Sequence, residues 1–201
     1  MMGHMAGTGG GARRATGTAV LLVSLALAGC TVEPPGGEAT PPSEESVALR
    51  VRTVSGAASL TSDARAEAES AVGDVLSDYV VRAFLGDYPR EDFVRSFGSF
   101  TGNLAGEATG DLNQLTANRF RKAEAVRATK LDADLSFLVK DSDVIGATAA
   151  VRFAFEATVD GDEQPLSLRG RLMLFENDGV WSVFGYDVVT DTGEAVEAEV
   201  S

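Results

Sequence analysis

The side chains best suited to nucleophilic, redox or metal chemistry are scarce in this sequence. Its only cysteine is Cys30 and its only histidine is His4. A disulfide needs a second cysteine, a structural zinc site needs several Cys or His ligands, and Ser-His-Asp or Cys-His catalysis needs a histidine beside the nucleophile. We therefore assign no catalytic residue and expect no metal ion and no cofactor.

Carboxylates and tyrosines remain as groups that could transfer a proton. Asp187 follows Tyr186 near the end of a strand-like segment, and Tyr79 lies on the apolar stripe of a helix-like segment. A carboxylate held among aromatic residues can have its pKa raised toward neutrality. We treat Asp187, Tyr186 and Tyr79 as possible polar groups of a cavity.

Two interpretations of Asp187 stay open. In the first, strand alternation makes it an acid on an apolar face, where it would need a partner or a place at the rim. In the second, which we favour, it pairs with Arg169 or Arg171 on a neighbouring strand or lies exposed at the strand end. The residues that would share its face in the first interpretation are Trp181, Val183 and Val189.

Four aspartates raise the question of a calcium site: Asp132, Asp134, Asp141 and Asp143. The first two alternate along a strand-like segment, and no run supplies the acidic loop with a closing glutamate that calcium-binding helix-loop-helix motifs use. We interpret these aspartates as a solvated face.

The charge balance excludes one class of partner. With 30 acidic and 17 basic residues, the formal charge is -13. A surface of that sign repels a phosphate backbone, so we expect no nucleic-acid partner.

Residues 1–29 have the pattern of an export signal. Arg13 and Arg14 precede a short apolar run that ends at small residues, and a membrane-spanning helix would need about 20 apolar residues. The closing tetrad LAGC, with Cys30 last, resembles the lipobox of bacterial lipoproteins. That resemblance implies cleavage before Cys30 and lipidation of its sulfur (the alternative is an incidental thiol), and hence a lipid anchor at the extracytoplasmic face of the cell membrane.

The composition then divides the rest of the chain. Residues 30–46 carry four prolines and four glutamates and predict a disordered tether behind the lipidated cysteine. Periodic apolar segments fill residues 47–191, which predicts one folded domain. Residues 192–201 form an acidic tail.

A long helix is predicted first in the folded part, with Thr61 or Ser62 as its N-cap and Gly86 after its end. A second, shorter helix is predicted from Asp87-Tyr88-Pro89 through Phe97. The glycine-rich residues 98–110 predict a loop, and residues 111–118 predict a third short helix.

Strand patterns surround these helices. A half-buried strand is predicted from Val47 and a long antiparallel sheet after Ala125, with a bulge or bend at Gly170 and a hairpin turn at 177–179. Phe153, Phe155 and Trp181 could line a ligand cavity, although aromatic residues at strand spacing are usually core.

This order of elements resembles the nuclear transport factor 2-like superfamily, an α+β cone related to the cystatin fold. In it a long N-terminal helix and short helices pack on a strongly curved antiparallel sheet. The segments AFLGDYPR (83–90), GRL (170–172) and VFGYDV (183–188) further resemble uncharacterised actinobacterial lipoproteins of this fold.

The resemblance implies a location rather than an activity, because this fold hosts isomerases, cyclases, hydrolases and non-catalytic assembly factors. We expect a membrane-anchored envelope lipoprotein with a non-catalytic binding domain, whose partner is an envelope protein or a small molecule. The alternative is a carrier of a small apolar ligand, or a carboxylate-based isomerase, cyclase or hydrolase that uses the cone cavity.

Overall fold

A computed structural model describes residues 47–193. These residues all belong to one of the two units into which the chain divides, Glu44–Ser201. The predicted leader, Cys30 and the tether lie outside the described residues, as do residues 194–201 of the acidic tail.

The described residues form an α+β fold with a mixed five-stranded sheet, which confirms the predicted class. Strands β2 to β5 form a meander of antiparallel neighbours, whereas β1 pairs parallel to β2. The antiparallel sheet predicted after Ala125 is confirmed, and the strand predicted from Val47 adds to its edge in parallel. A tight hairpin requires antiparallel neighbours, but β1 reaches β2 through the helices and is free of that constraint. The strands lie in chain order across the sheet: β1 (Arg50–Ser55), β2 (Ala125–Lys140), β3 (Asp143–Val159), β4 (Asp162–Asn177) and β5 (Val180–Asp191).

Short turns with left-handed backbone join each of the strands β2 to β5 to the next one in the chain. Asp160 and Asp178 have φ values of 53° and 51°, and each is followed by a glycine that also has positive φ. Aspartate and glycine are the residue types that hairpin turns of this kind favour. These turns fix the register of the neighbouring strands, and with it the rows of side chains across the sheet.

Helix α1 (Ser62–Ala83) covers one face of the sheet. Thr61 is its N-cap, because the Thr61 hydroxyl accepts a hydrogen bond of 3.2 Å from the backbone N–H of Ala64. Its apolar stripe, which includes Val72, Leu76 and Tyr79, is buried.

Arg90, within the AFLGDYPR segment, binds the C-terminal end of α1. Its guanidinium donates to the carbonyls of Arg82 and Leu85, the latter at 2.7 Å, and lies 4.6 Å from the ring centre of Phe93. The last carbonyl groups of a helix have no hydrogen-bond donors within it. The Arg90 guanidinium supplies donors here, and its positive charge interacts favourably with the negative end of the helix dipole.

Two predictions for the connecting segments were wrong. Residues 85–93 are not helical, and only Val94–Phe97 form a short 3₁₀ turn. Gly102–Ala108, predicted as loop, is helix α2. Leu104 and Ala108 lie one helical turn apart and are both buried, so packing there outweighs the low helix propensity of glycine. Helix α3 (Leu112–Leu115) lies within the predicted third helix.

Large apolar side chains fill the space between α1 and the sheet. Phe84 stacks on Phe155 with ring centres 4.4 Å apart, and Tyr79 meets Phe100 at 5.5 Å. Phe153 and Phe155, considered above as cavity linings, are buried. Among the described residues the buried polar side chains are Ser96 and Thr116, and both donate to backbone carbonyls.

One irregularity decides which face each residue of β5 occupies. Met173 pairs with Gly185 but Leu174 pairs with Val183, so Phe184 is an extra residue in β5. An extra residue exchanges the two faces from that point onward. Val183, Tyr186 and Val188 accordingly face the helices. The bulge thus lies in β5 and not at Gly170, where the register is continuous.

Candidate functional site

Tyr79 and Tyr186 lie on the helix side of the sheet, and each has a specific partner. The Tyr79 hydroxyl is buried and donates to the carbonyl of Leu115; burial raises the pKa of Tyr79. The Tyr186 hydroxyl donates to a carboxylate oxygen of Asp111 at 2.6 Å. Partial burial, followed by that carboxylate, raises the pKa of Tyr186 to about 12. The Tyr79 hydroxyl therefore joins α1 to the end of α3, and the Tyr186 hydroxyl joins β5 to the residue before α3.

Asp187 lies on the opposite face. Its carboxylate accepts a hydrogen bond of 2.6 Å from the guanidinium of Arg171, and its side chain is 68% exposed. The interpretation that we favoured, an arginine pair on a neighbouring strand, is confirmed. The apolar-face interpretation was wrong, because the extra residue Phe184 places Asp187 on the face away from Val183.

Trp181 lines a surface groove and not an interior cavity. The groove has a volume of about 460 Å³ and lies between the start of α1 and the tips of two hairpins. Ala64, Ala68 and Ile145 form part of its apolar lining, and acidic side chains such as Glu67 lie at the same groove.

The outer face of the sheet, away from the helices, carries an ordered set of charges. Directly paired residues form two rows that cross all five strands, and we call these ten residues the arginine face. The first row is Arg50, Asp132, Arg152, Arg169 and Val189; the second row is Arg52, Asp134, Ala150, Arg171 and Asp187.

Asp134 is the carboxylate of the arginine face that accepts the most hydrogen bonds. One oxygen accepts from Arg52, at 2.7 and 3.0 Å, and the other accepts from Arg152 at 2.9 Å. Hydrogen bonds from Arg152 and then Arg52 hold the pKa of Asp134 below its usual value. Asp132 similarly accepts from Arg50 at 2.9 Å. The carboxylates thus order the guanidinium groups across β1, β2 and β3.

The arginine face has the opposite sign to the chain as a whole. It carries five arginines against three aspartates, whereas the formal charge of the chain is -13. Arg169 and Arg171 are more than half exposed. Each guanidinium has five N–H donors, so the pairs seen within residues 47–193 leave several for a ligand.

An apolar patch continues the same face toward the hairpin ends. Leu138 is 62% exposed and Phe184 is 50% exposed, and the Phe184 ring contacts that of Phe175 edge to face at 5.8 Å. We call Leu138, Met173, Phe175 and Phe184 the apolar end. Together the two areas offer guanidinium donors beside exposed aromatic surface, a combination common at protein interfaces.

The aspartates weighed as calcium ligands are divided between two places. Asp132 and Asp134 are bound by arginines, whereas Asp141 and Asp143 lie at the β2–β3 turn. Within residues 47–193, no group of three or more His, Cys, Asp or Glu is arranged to hold a metal ion.

The helices of this part of the chain are too short or too polar to cross a membrane.

Sequence reasoning missed the arginine face as a unit. The available signal was the alternation of Arg50 and Arg52 and that of Asp132 and Asp134, but each pair alone resembles an ordinary solvated strand face. Only the register, with β1 parallel to β2, brings these residues together.

Comparison of the chain with models of known families, with curated proteins and with solved structures found no match.

Proposed function

We propose that this protein is a lipid-anchored lipoprotein of the bacterial cell envelope whose folded domain is a non-catalytic interaction module. In this proposal Cys30 carries the lipid, residues 31–46 hold the domain away from the membrane, and the domain is a nuclear transport factor 2-like cone. A long helix, short helices and then an antiparallel meander, in that order, support the cone assignment.

The arginine face is the observation that carries the binding role. An acidic protein repels acidic partners over most of its surface, whereas a cluster of five arginines offers such a partner favourable Coulomb energy. The aspartates between them fix the guanidinium positions, and a fixed donor loses less entropy on binding.

We propose an acidic protein segment as the partner. Its carboxylates would accept from Arg169 and Arg171, and apolar side chains of the segment would contact the apolar end. The surroundings of Tyr79 give less support to the ligand-carrier or enzyme alternative, since its buried hydroxyl is engaged with the carbonyl of Leu115.

Membrane fractionation tests the anchor. In a lipoprotein-competent host, Cys30→Ser should move the protein from the membrane to the soluble extracytoplasmic fraction, because it removes the only thiol that could be acylated. Thr31→Ser is the matched control and should remain on the membrane. Equal membrane retention of Cys30→Ser and the parent contradicts the anchor.

Photo-crosslinking in cells tests the binding face. A photoreactive residue at Val189, on the arginine face, should give an adduct that a residue at the similarly exposed Val81 on α1 does not. Arg169→Glu with Arg171→Glu should abolish the adduct, and Arg65→Glu on α1 should not. An adduct indifferent to the first pair of changes, or an equal adduct at Val81, contradicts this role for the face.

A further inference from the structure

We infer that residues 194–201 of this same chain bind back onto the arginine face and cover it. The binding itself is independent of the proposed function. Its consequence, that an acidic partner must first displace an internal competitor, rests on that function.

The described end of the chain approaches the arginine face. Asp191, the last residue of β5, lies on the outer face, and its carboxylate is 3.5 Å from the guanidinium of Arg169. Gly193 follows with φ +70°, and its N–H donates back to Asp191 at 2.8 Å. Gly193 also lies against the ring of Pro165, so closely that a side chain there would collide with it. The described chain therefore ends beside Pro165 of β4, four residues along that strand from Arg169.

The next eight residues have the charge that this surface attracts. Glu194, Glu197 and Glu199 are separated by alanine and valine residues, and no basic residue occurs in the segment. Carboxylates bound to guanidinium groups form strong, often bidentate, hydrogen bonds.

The distances are short enough for these contacts. Eight extended residues span about 26 Å, and neighbouring strands lie about 4.8 Å apart. Gly193 lies against Pro165, four residues along β4 from Arg169, and Arg152 on β3 pairs directly with Arg169, so Arg152 lies about 15 Å from the start of the segment. The covalent link keeps the glutamates at high effective concentration, so binding too weak for a separate peptide becomes substantial within one chain.

Paramagnetic relaxation in NMR spectra tests this inference. The chain from residue 30 with Cys30→Ser retains the whole described domain, and Ser201→Cys then supplies its only thiol for a spin label. We expect the amide signals of Arg152, Arg169 and Arg171 to lose most of their intensity. The signals of Val81 and Gly106, on the helix side, should keep theirs.

Charge changes establish whether the contact is specific. Glu194→Lys, Glu197→Lys and Glu199→Lys together should restore the lost intensity, and they alter no residue of the folded part described here. Replacing the same glutamates by aspartate, which keeps the charge, should preserve the loss. Arg169→Glu with Arg171→Glu should also restore the signals. Salt at 1 M should act in the same direction, because it shortens the screening length from about 10 Å at 0.1 M to about 3 Å.

Three results overturn the inference. One is equal signal loss at Val81 and Arg169, and another is a loss unchanged by lysine at the three glutamates. The third is signal loss in an isotope-labelled chain without a spin label when a spin-labelled chain is added, which identifies a second copy as the occupant. None of these measurements involves the membrane or a partner, so they leave the proposed function to its own tests.

Discussion

The carbonyl oxygen of Asp187 occupies the place where a side chain on Gly170 would begin. A Cβ built on Gly170 would lie 2.1 Å from that oxygen, and the φ of Gly170 is +142°, a conformation that only glycine adopts readily. The close approach brings β5 onto β4 at the row that contains Arg171 and Asp187. A glycine in the middle of β4 thus helps to position one end of the arginine face.

Gly170→Ala should lower the free energy of unfolding by about 1–3 kcal/mol, because the added methyl group meets backbone that cannot move without separating the strands. Urea unfolding monitored by Trp181 fluorescence measures this. Gly106→Ala is the matched control: it lies in α2 with no atom within 4 Å of the new methyl group, and it should stabilise the protein by up to about 1 kcal/mol. Equal effects of the two changes would refute the steric explanation.

Some elements of this fold follow from local sequence alone, and others depend on contacts between distant parts of the chain. The long helix with Thr61 as its cap, and the buried alternation through Phe153 and Phe155, follow from periodicities that depend on local sequence alone. Gly102–Ala108 does not, because its helix depends on burial of Leu104 against distant parts of the chain. Local propensity has no information about such contacts.

The candidate site shows the same limit more sharply. Alternation assigns Asp187 to the wrong face because a single extra residue, Phe184, inverts everything after it. Sequence does indicate arginines on strands, and Arg171 was correctly considered as a partner. The rows themselves require the pairing of five strands, and the parallel pairing of β1 with β2 leaves no local signal.

Arg90→Lys should destabilise the protein by about 1.5–3 kcal/mol. Lysine keeps the charge but loses the planar fork that reaches the carbonyls of Arg82 and Leu85 together. Thermal unfolding followed by circular dichroism measures the effect. Arg95→Lys is the matched control, because its pair with Asp92 is exposed, and it should change stability by no more than about 0.5 kcal/mol. If both changes are equally mild, the role of Arg90 at the end of α1 is not supported.

Tyr79→Phe should cost about 1–3 kcal/mol in unfolding free energy, because it removes a buried donor from the carbonyl of Leu115. Tyr186→Phe removes a half-exposed donor to Asp111, where water can replace it, so its cost should be smaller. Chemical unfolding of both variants gives the comparison. A larger loss for Tyr186→Phe would contradict the ranking by burial.

Asp134→Asn should alter the pH dependence of stability. Arg152 and Arg52 hold the pKa of the folded-state carboxylate below its unfolded value of about 3.9. The ionised form is therefore favoured by folding, and the stabilisation is complete well above pH 4. It disappears as the pH falls through the lowered pKa, because the protonated acid interacts more weakly with the two guanidinium groups.

Urea unfolding between pH 7 and pH 2.5 should therefore show the parent more stable than Asp134→Asn at neutral pH, with the difference shrinking below about pH 4. The same substitution made beside Arg52→Gln and Arg152→Gln should show a smaller pH-dependent difference, because the groups that lower the pKa are absent. Two results would show that Asp134 and the arginines of β1 and β3 are not energetically coupled. In one, the stability difference caused by Asp134→Asn stays constant across the pH range; in the other, its pH dependence is the same with and without the two arginines.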